Sequence, residues 1–378
     1  MVEDYYPVPL DIDVYQFNAT EELVLKTIRC KSEPVIAKPA LSESLGWECA
    51  LPCERIHIEQ VPGDHNSMVT NEDYRQQLGR AIVQSIGSVK KRRKVNAEFD
   101  PLIPFVTHPG RAFPLICLPG AGSSVTSLGH FVGALPPGRS VYGLQPRGIE
   151  PNDAPYSSIQ TMATDNLKAI QGICSRGPIH LLGHSHGGLV ALEMAHQWHL
   201  QGGDVASVTL IDSQAPHLLK DAWRLTDQQA MDDFADAIFN TLKISPVGMD
   251  LQIRSGDVLA VLSRLHQVLK ESGQVPANSP ADFLAGSFHT YLAARRWTYA
   301  PLTVYPKNLY LALASEPAER VYGAPRAPVD LALAWQKEIA GLQPQWVPGN
   351  HYSILSEQHA LELAQWWSHQ AAEGDKGR

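Results

Sequence analysis

Apolar residues in this chain come as short continuous runs: Pro114 to Leu118, Ser140 to Leu144, Ile179 to Leu182, Val208 to Ile211 and Leu309 to Leu313. Between them apolar positions recur at helical spacing, as over Ser158 to Cys174 and Gly187 to Leu200. Runs that are apolar on consecutive positions and separated by helices predict a mostly parallel sheet with helices on both faces, an α/β fold. Residues 217 to about 298 break the rhythm. They are largely helical in pattern, and a helical insertion of that length between two strands predicts a lid over a site.

The pattern also repeats. Val61-Pro62-Gly63-Asp64-His65-Asn66-Ser67-Met68 is matched by Val347-Pro348-Gly349-Asn350-His351-Tyr352-Ser353-Ile354. A short apolar segment precedes each copy, Ile56 to Gln60 and Leu342 to Trp346. A helical pattern follows each, Glu72 to Ile86 and Glu357 to Trp367. Upstream, Leu23 to Ile28 and Leu309 to Leu313 read as the opening strands of the two units, and Trp47 and Trp335 fall between. Residues 20–87 thus read as a repeat of the last part of the chain. On this reading 1–87 is a carboxyl-terminal fragment of a first domain, 88–101 a linker holding the basic run Lys90 to Lys94, and 102–378 a complete second domain.

Composition narrows the function classes. A chain of 378 residues with 44% hydrophobic content can bury a full core, and a formal charge of −8 argues against bulk nucleic-acid binding. The start, Met1-Val2-Glu3-Asp4, does not read as a signal peptide, and no run approaches the length of a membrane span, so a cytoplasmic protein without membrane contact is expected. Five cysteines at irregular spacings suit reduced thiols better than a disulfide framework or a zinc site.

The strongest chemical signal is Gly183-His184-Ser185-His186-Gly187-Gly188, set between the run ending at Leu182 and the helix that follows. A serine on a sharp strand-to-helix turn projects its hydroxyl above the sheet, and the flanking glycines let backbones pass closely. The same turn aims the His186 amide and a helix N-terminus at the place where an oxyanion would form. Serine needs a base, and the base needs an orienting acid. His351, in a turn after the last strand, is the candidate base; His184 and His186 flank Ser185 too closely for that task. For the acid, Asp212 ends the strand Val208 to Ile211, and Glu316 follows the strand beginning at Leu309. Asp212 is preferred, as the shorter side chain at a clean strand exit. A second oxyanion donor is expected from the loop Pro119-Gly120-Ala121-Gly122-Ser123, with the Ala121 amide as the candidate. The histidines around the turn match no standard metal-ligand spacing, and no Gly-Lys-Ser/Thr follows the glycine loop, so neither metal nor nucleotide is expected.

Leu118-Pro119-Gly120-Ala121-Gly122, Tyr142 to Gly148, Gly183 to Gly188, Leu210-Ile211-Asp212, Tyr299-Ala300-Pro301 and Gly349-Asn350-His351 together resemble the thioesterase domain of nonribosomal peptide and polyketide synthetases. The resemblance covers residues 102 to about 370. It implies an α/β-hydrolase fold, the chain order Ser185, Asp212, His351, and the acid on the Asp212 strand rather than at Glu316. It also implies release of an acyl or peptidyl chain from a phosphopantetheinyl carrier protein through an acyl-serine, by hydrolysis or macrocyclisation, within a larger synthetase and with no cofactor of its own. Residues 20–87 resemble the end of the same domain type, as in synthetases that finish with two thioesterases in tandem. A stand-alone serine esterase or lipase, an editing thioesterase and a non-catalytic carrier-docking module are the rival readings. His184 and His186 stand where that family commonly has an aromatic and an apolar residue.

Overall fold

The computed structural model describes residues 14–21, 56–96, 99–108, 110, 112–150, 153–219, 226–245, 258–300, 306–317 and 327–376. The chain divides into two compact units between Glu98 and Phe99.

In the first unit, strand β1 (Val14–Ala19) pairs in parallel with β2 (Ile56–Val61), in the register Val14 to Ile56 through Ala19 to Val61. A turn and the short helix α1 (Ser67–Thr70) lead into the long helix α2 (Glu72–Asn96). Leu23 to Ile28 and Trp47 lie outside the described residues, and the strand that partners β2 is Val14–Ala19. Its sequence alternates Tyr15 and Phe17 with Gln16 and Asn18, a period-2 pattern that reads less clearly than a continuous apolar run. Helix α2 also continues through Lys90 to Lys94, which were expected in a linker; no glycine or proline interrupts residues 88–96.

The second unit is built on a seven-stranded sheet of β3 (Leu102–Val106), β4 (Leu115–Leu118), β5 (Val141–Leu144), β6 (Ile179–His184), β7 (Val205–Ile211), β8 (Leu309–Ala314) and β9 (Gln345–Val347). The spatial order is β3-β5-β4-β6-β7-β8-β9, parallel throughout except at the β3 edge. The pattern did not predict β3; Pro104 withholds a ladder donor there, which an edge strand tolerates.

Alternate strand residues feed two cores. Ile116, Leu118, Leu181, Val208, Leu210, Leu309 and Leu311 pack with helices α4 (Ile159–Ile170), α5 (His186–Leu200) and α9 (Pro328–Glu338). Leu115, Cys117, Leu182, Ile211, Ala312 and Val347 pack with α3 (Gly129–Gly133) and α10 (Glu357–Lys376) on the other face. The expected lid contains α6 (Asp227–Leu242), α7 (Val258–Glu271) and α8 (Ala285–Arg296), which bury Met231, Phe234, Leu262, Leu265 and Phe288 in a cluster of their own. Among the described residues, no helix is long and apolar enough to cross a membrane.

At the foot of the sheet, buried His180 meets Ser207 Oγ through Nδ1 at 2.7 Å and Asp375 Oδ1 through Nε2 at 3.2 Å, and Arg139 pairs with Asp375 at 2.6 Å. This network ties α10 to the strands and explains a histidine inside a central strand.

Candidate active site

Strand β6 ends at His184 and helix α5 begins at His186, so the whole turn is Ser185. Its backbone sits at φ +53°, ψ −123°, a conformation that costs a non-glycine residue about 1–3 kcal/mol and persists only when its surroundings enforce it. They do so here. The Ser185 N–H donates to the Ile211 carbonyl at 2.8 Å. A Cβ on Gly183 would lie 2.1 Å from the Gly187 carbonyl oxygen, one on Gly187 2.4 Å from the Pro119 oxygen, and one on Gly188 2.0 Å from Ser213 Oγ. The strained turn is therefore clamped by contacts that only glycine permits. Its amide at His186 heads a helix and has no intrahelical acceptor.

Asp212 closes β7 at φ +46°. Its N–H donates to Ala312 O at 2.8 Å, and its Oδ1 accepts from the Ala314 N–H at 2.9 Å, so β8 holds both the backbone and the carboxylate. Oδ2 accepts from His351 Nδ1 at 2.6 Å. Burial opposes ionisation of this carboxyl, but the hydrogen bonds from His351 and Ala314 and the charge His351 can carry outweigh it, holding the group below the usual carboxylate range. With Nδ1 committed as donor, Nε2 of His351 is left as the acceptor.

The base loop is itself fixed. Gly349 at φ +92° turns the chain out of β9, and Asn350 Oδ1 accepts from the N–H groups of Tyr352 and Ser353 at 3.0 and 3.1 Å. His184 supplies a further restraint that sequence reasoning missed. Its Nε2 donates to the His351 carbonyl oxygen at 3.2 Å, with the two rings 5.1 Å apart. A carbonyl only accepts, so Nε2 carries the hydrogen. Burial and the neighbouring His351 push the pKa of His184 down to about 3, keeping it neutral. The signal was present in the sequence as a polar ring where an aromatic is common, but its partner lies 167 positions away.

Ser185, Asp212, His351, Ala121 and His186 all line one cavity of about 470 Å³. The structure thus brings together every residue expected at the site. Gly120 packs close to the elbow: a Cβ there would be 3.4 Å from Ser185 Cβ and 3.2 Å from His184 Nδ1. The loop holding Ala121 continues into Gly122, at φ +68°, which lies against Tyr291 and the Ser287 carbonyl of α8. Ala121 packs on the helical cluster of the lid. Glu316 also lines the cavity, but its N–H donates to Gly349 O at 2.9 Å and the imidazole pairs with Asp212 instead. The His186 ring packs on Trp297 at 5.1 Å; burial and nearby Arg295 lower its pKa to about 4.

The family model "Thioesterase domain" matches residues 113–370. The indigoidine synthase of Streptomyces lavendulae is 32% identical over 153 residues, spanning 40% of this chain and 12% of that protein. The dimodular nonribosomal peptide synthase of Bacillus subtilis is 33% identical over 132 residues, 35% of this chain and 6% of that protein. This chain therefore corresponds to a small part of the relatives it matches, which are larger synthetases. Among solved structures, the four-domain nonribosomal peptide synthetase holo-AB3403, bound to AMP and glycine, superimposes with a TM-score of 0.56 at 21% identity, covering 74% of this chain and 21% of that one. That likeness is one of fold. A mostly parallel sheet, a glycine-clamped serine elbow, a carboxylate-oriented histidine and a family match across most of the second unit lead to one assignment: the chain belongs to the thioesterase domain family, and its second unit has an α/β-hydrolase fold.

Proposed function

We propose that the second unit releases an acyl or peptidyl chain from the phosphopantetheine thioester of a carrier protein. Ser185 Oγ attacks the thioester carbonyl while His351 Nε2 takes the hydroxyl proton. The amides of Ala121 and His186 receive the oxyanion, and the imidazolium is held by Asp212. Collapse of the tetrahedral intermediate expels the pantetheine sulfur, which leaves as the thiol with the proton from His351. The acyl-serine is then opened by water, or by a hydroxyl or amine of the chain itself, with His351 again taking the proton.

The observation that carries this reading is the 2.6 Å bond from His351 Nδ1 to Asp212. It fixes the imidazole in the tautomer whose other nitrogen is basic, on the wall of the cavity that Ser185 also lines. Family membership supplies the thioester, and relatives that are multidomain synthetases support the carrier as the donor.

The test is to present acyl groups on a carrier protein and, in parallel, on soluble thioesters and simple esters, and to follow the intact mass of the enzyme and its products. A transient mass gain equal to the acyl group, absent in Ser185→Ala, with carrier-bound acyl groups released fastest, is the expected result. Equal turnover of simple esters with no gain from the carrier would assign an ordinary esterase instead. Absence of any covalent adduct, together with failure of Ser185 to react with a fluorophosphonate, would overturn the mechanism.

A further inference from the structure

The chemistry proposed above uses the backbone amide of His186 and leaves its ring without a task. That ring lines the same cavity as Ser185 and His351. It is half-buried and packs on Trp297 at 5.1 Å. Its two nitrogens meet different surroundings. Nε2 is sealed within the protein and has no hydrogen-bond partner among the described residues, whereas Nδ1 is not sealed in this way. The edge of the ring that reaches the cavity therefore carries Nδ1.

These surroundings decide where the hydrogen sits. A neutral imidazole has one N–H and one bare nitrogen. His186 is neutral near pH 7, because burial and nearby Arg295 lower its pKa to about 4. A sealed N–H without an acceptor is rarer in proteins than a sealed acceptor without a donor. A hydrogen on Nδ1 instead has the cavity in front of it. His186 thus presents a neutral donor to whatever the cavity holds.

The neighbours limit what that donor can read. Leu189, one turn along α5, and Ala294 of α8 line the cavity with it. Arg295 lines it too, but is paired with Asp233 at 3.3 Å, so the pair adds no net charge to hold a carboxylate. An anion beside a neutral donor and apolar side chains would be poorly compensated, and a hydroxyl would need an acceptor for its own hydrogen. A carbonyl oxygen needs the donor alone.

We propose that the His186 ring, donating from Nδ1, receives the first carbonyl oxygen beyond the thioester in the bound chain, and so selects N-acyl aminoacyl chains over alkyl chains of the same length. This rests on the release reading given above and names the chain that reading leaves open. The amide of the same residue is the one proposed for the oxyanion. The ring is therefore a few bonds from the reacting carbonyl, where the first peptide group of such a chain falls.

The test uses the full chain and soluble N-acetylcysteamine thioesters of an N-acetylalanyl group, of its ketone analogue with a methylene in place of the amide N–H, and of its alkane analogue with methylenes in place of both N–H and carbonyl. For each enzyme, kcat/KM on the two carbonyl chains is divided by kcat/KM on the alkane chain. A disturbed residue 186 amide slows every chain alike and cancels in this ratio. In His186→Leu both ratios should fall by about tenfold against the parent, the size of one hydrogen bond to a bound chain. His186→Asn sets an amide nitrogen where Nδ1 stood and should keep most of the ratio; His186→Gln sets one where Nε2 stood and should lose it. Nitrogen-15 spectra of histidine-labelled protein should place the hydrogen of His186 on Nδ1. Ratios unchanged in His186→Leu, a fall confined to the amide chain, a ratio kept by Gln and lost by Asn, or a hydrogen on Nε2 would each overturn the proposal and leave thioester release standing. Failure of the parent to release any of these chains would overturn the release reading, and this proposal with it. If His186→Leu does not fold, the contrast between Asn and Gln decides.

Discussion

His351 donates through Nδ1 to Asp212 at 2.6 Å although 139 positions separate them in the chain. The contact exists because β7 and β8 are neighbours in the sheet and the loop after β9 returns over their carboxyl ends. In the proposed mechanism the carboxylate orients the ring and stabilises the imidazolium formed during attack. Asp212→Asn should lower kcat by about 10⁴-fold with little change in KM, since the amide can favour the wrong tautomer. Steady-state kinetics on a soluble acyl thioester measure this, and a loss confined to KM would contradict the assigned role.

His184 is expected to act on the proposed reaction through His351, whose carbonyl it holds. Replacing it by Phe keeps the ring but removes the hydrogen bond to the base-loop carbonyl. The expected outcome is a fall in kcat of about 10²-fold, typical of a catalytic group displaced by a fraction of an ångström to an ångström, with KM conserved. His184→Gln, which can still donate, should recover part of the loss.

The elbow glycines answer to sterics. Gly188→Ala would drive a Cβ to 2.0 Å from Ser213 Oγ, and Gly183→Ala to 2.1 Å from a backbone oxygen. Both should destabilise, Gly183→Ala more, because a carbonyl cannot rotate away as a hydroxyl can. Overpacking of this kind costs about 1–3 kcal/mol, or more where the backbone is the obstacle. Denaturant unfolding monitored by fluorescence gives the ranking, and the reverse order would show that the elbow relaxes where the contacts say it cannot.

Trp335 on α9 donates through Nε1 to the Ser213 carbonyl at 2.7 Å, one residue past Asp212. Trp335→Phe leaves a buried acceptor without its partner, a loss of about 1–3 kcal/mol. Its effect should appear in the unfolding midpoint and also in kcat, because the carbonyl lies next to the residue that orients the base. Stability unchanged within error would mean that the carbonyl finds another donor.

Stability should fall in mild acid. Burial holds His180 and His186 at about 4 and His184 at about 3; Arg139, Arg295 and His351, respectively, push in the same direction. Below the unfolded value of 6.5 the unfolded chain takes up protons that the folded chain refuses. Stability fully present above pH 6.5 is therefore lost progressively as pH falls towards 4. Asp212, held low, adds its own loss at still lower pH. A thermal melt series from pH 8 to 4 should show a plateau and then a decline beginning near 6.5. A flat profile down to pH 4.5 would mean that these imidazoles are not sequestered.

The sheet and the elbow could be read from the chain because both depend on local pattern. Continuous apolar runs mark strands covered on two faces, and the glycines around Ser185 mark backbone crowding that no other residue fits. The acid was narrowed to Asp212 and Glu316 by strand ends, yet the choice between them depends on which carboxylate faces a loop far away in sequence. β1 was missed because Tyr15 and Phe17 alternate with polar residues. The partner of His184 could not be read because it is a backbone carbonyl, which leaves no mark in the residue code.

Ala121 packs with the helices that form the roof of the cavity, and Gly122 rests on Tyr291 beneath them. On the proposed mechanism, enclosure of the acyl chain and reception of its negative oxygen are therefore served by one mechanical element. Loosening the roof to admit a bulkier chain would then also unseat the amide proposed to steady the reaction, so breadth of substrate and speed of turnover would pull against each other at this loop.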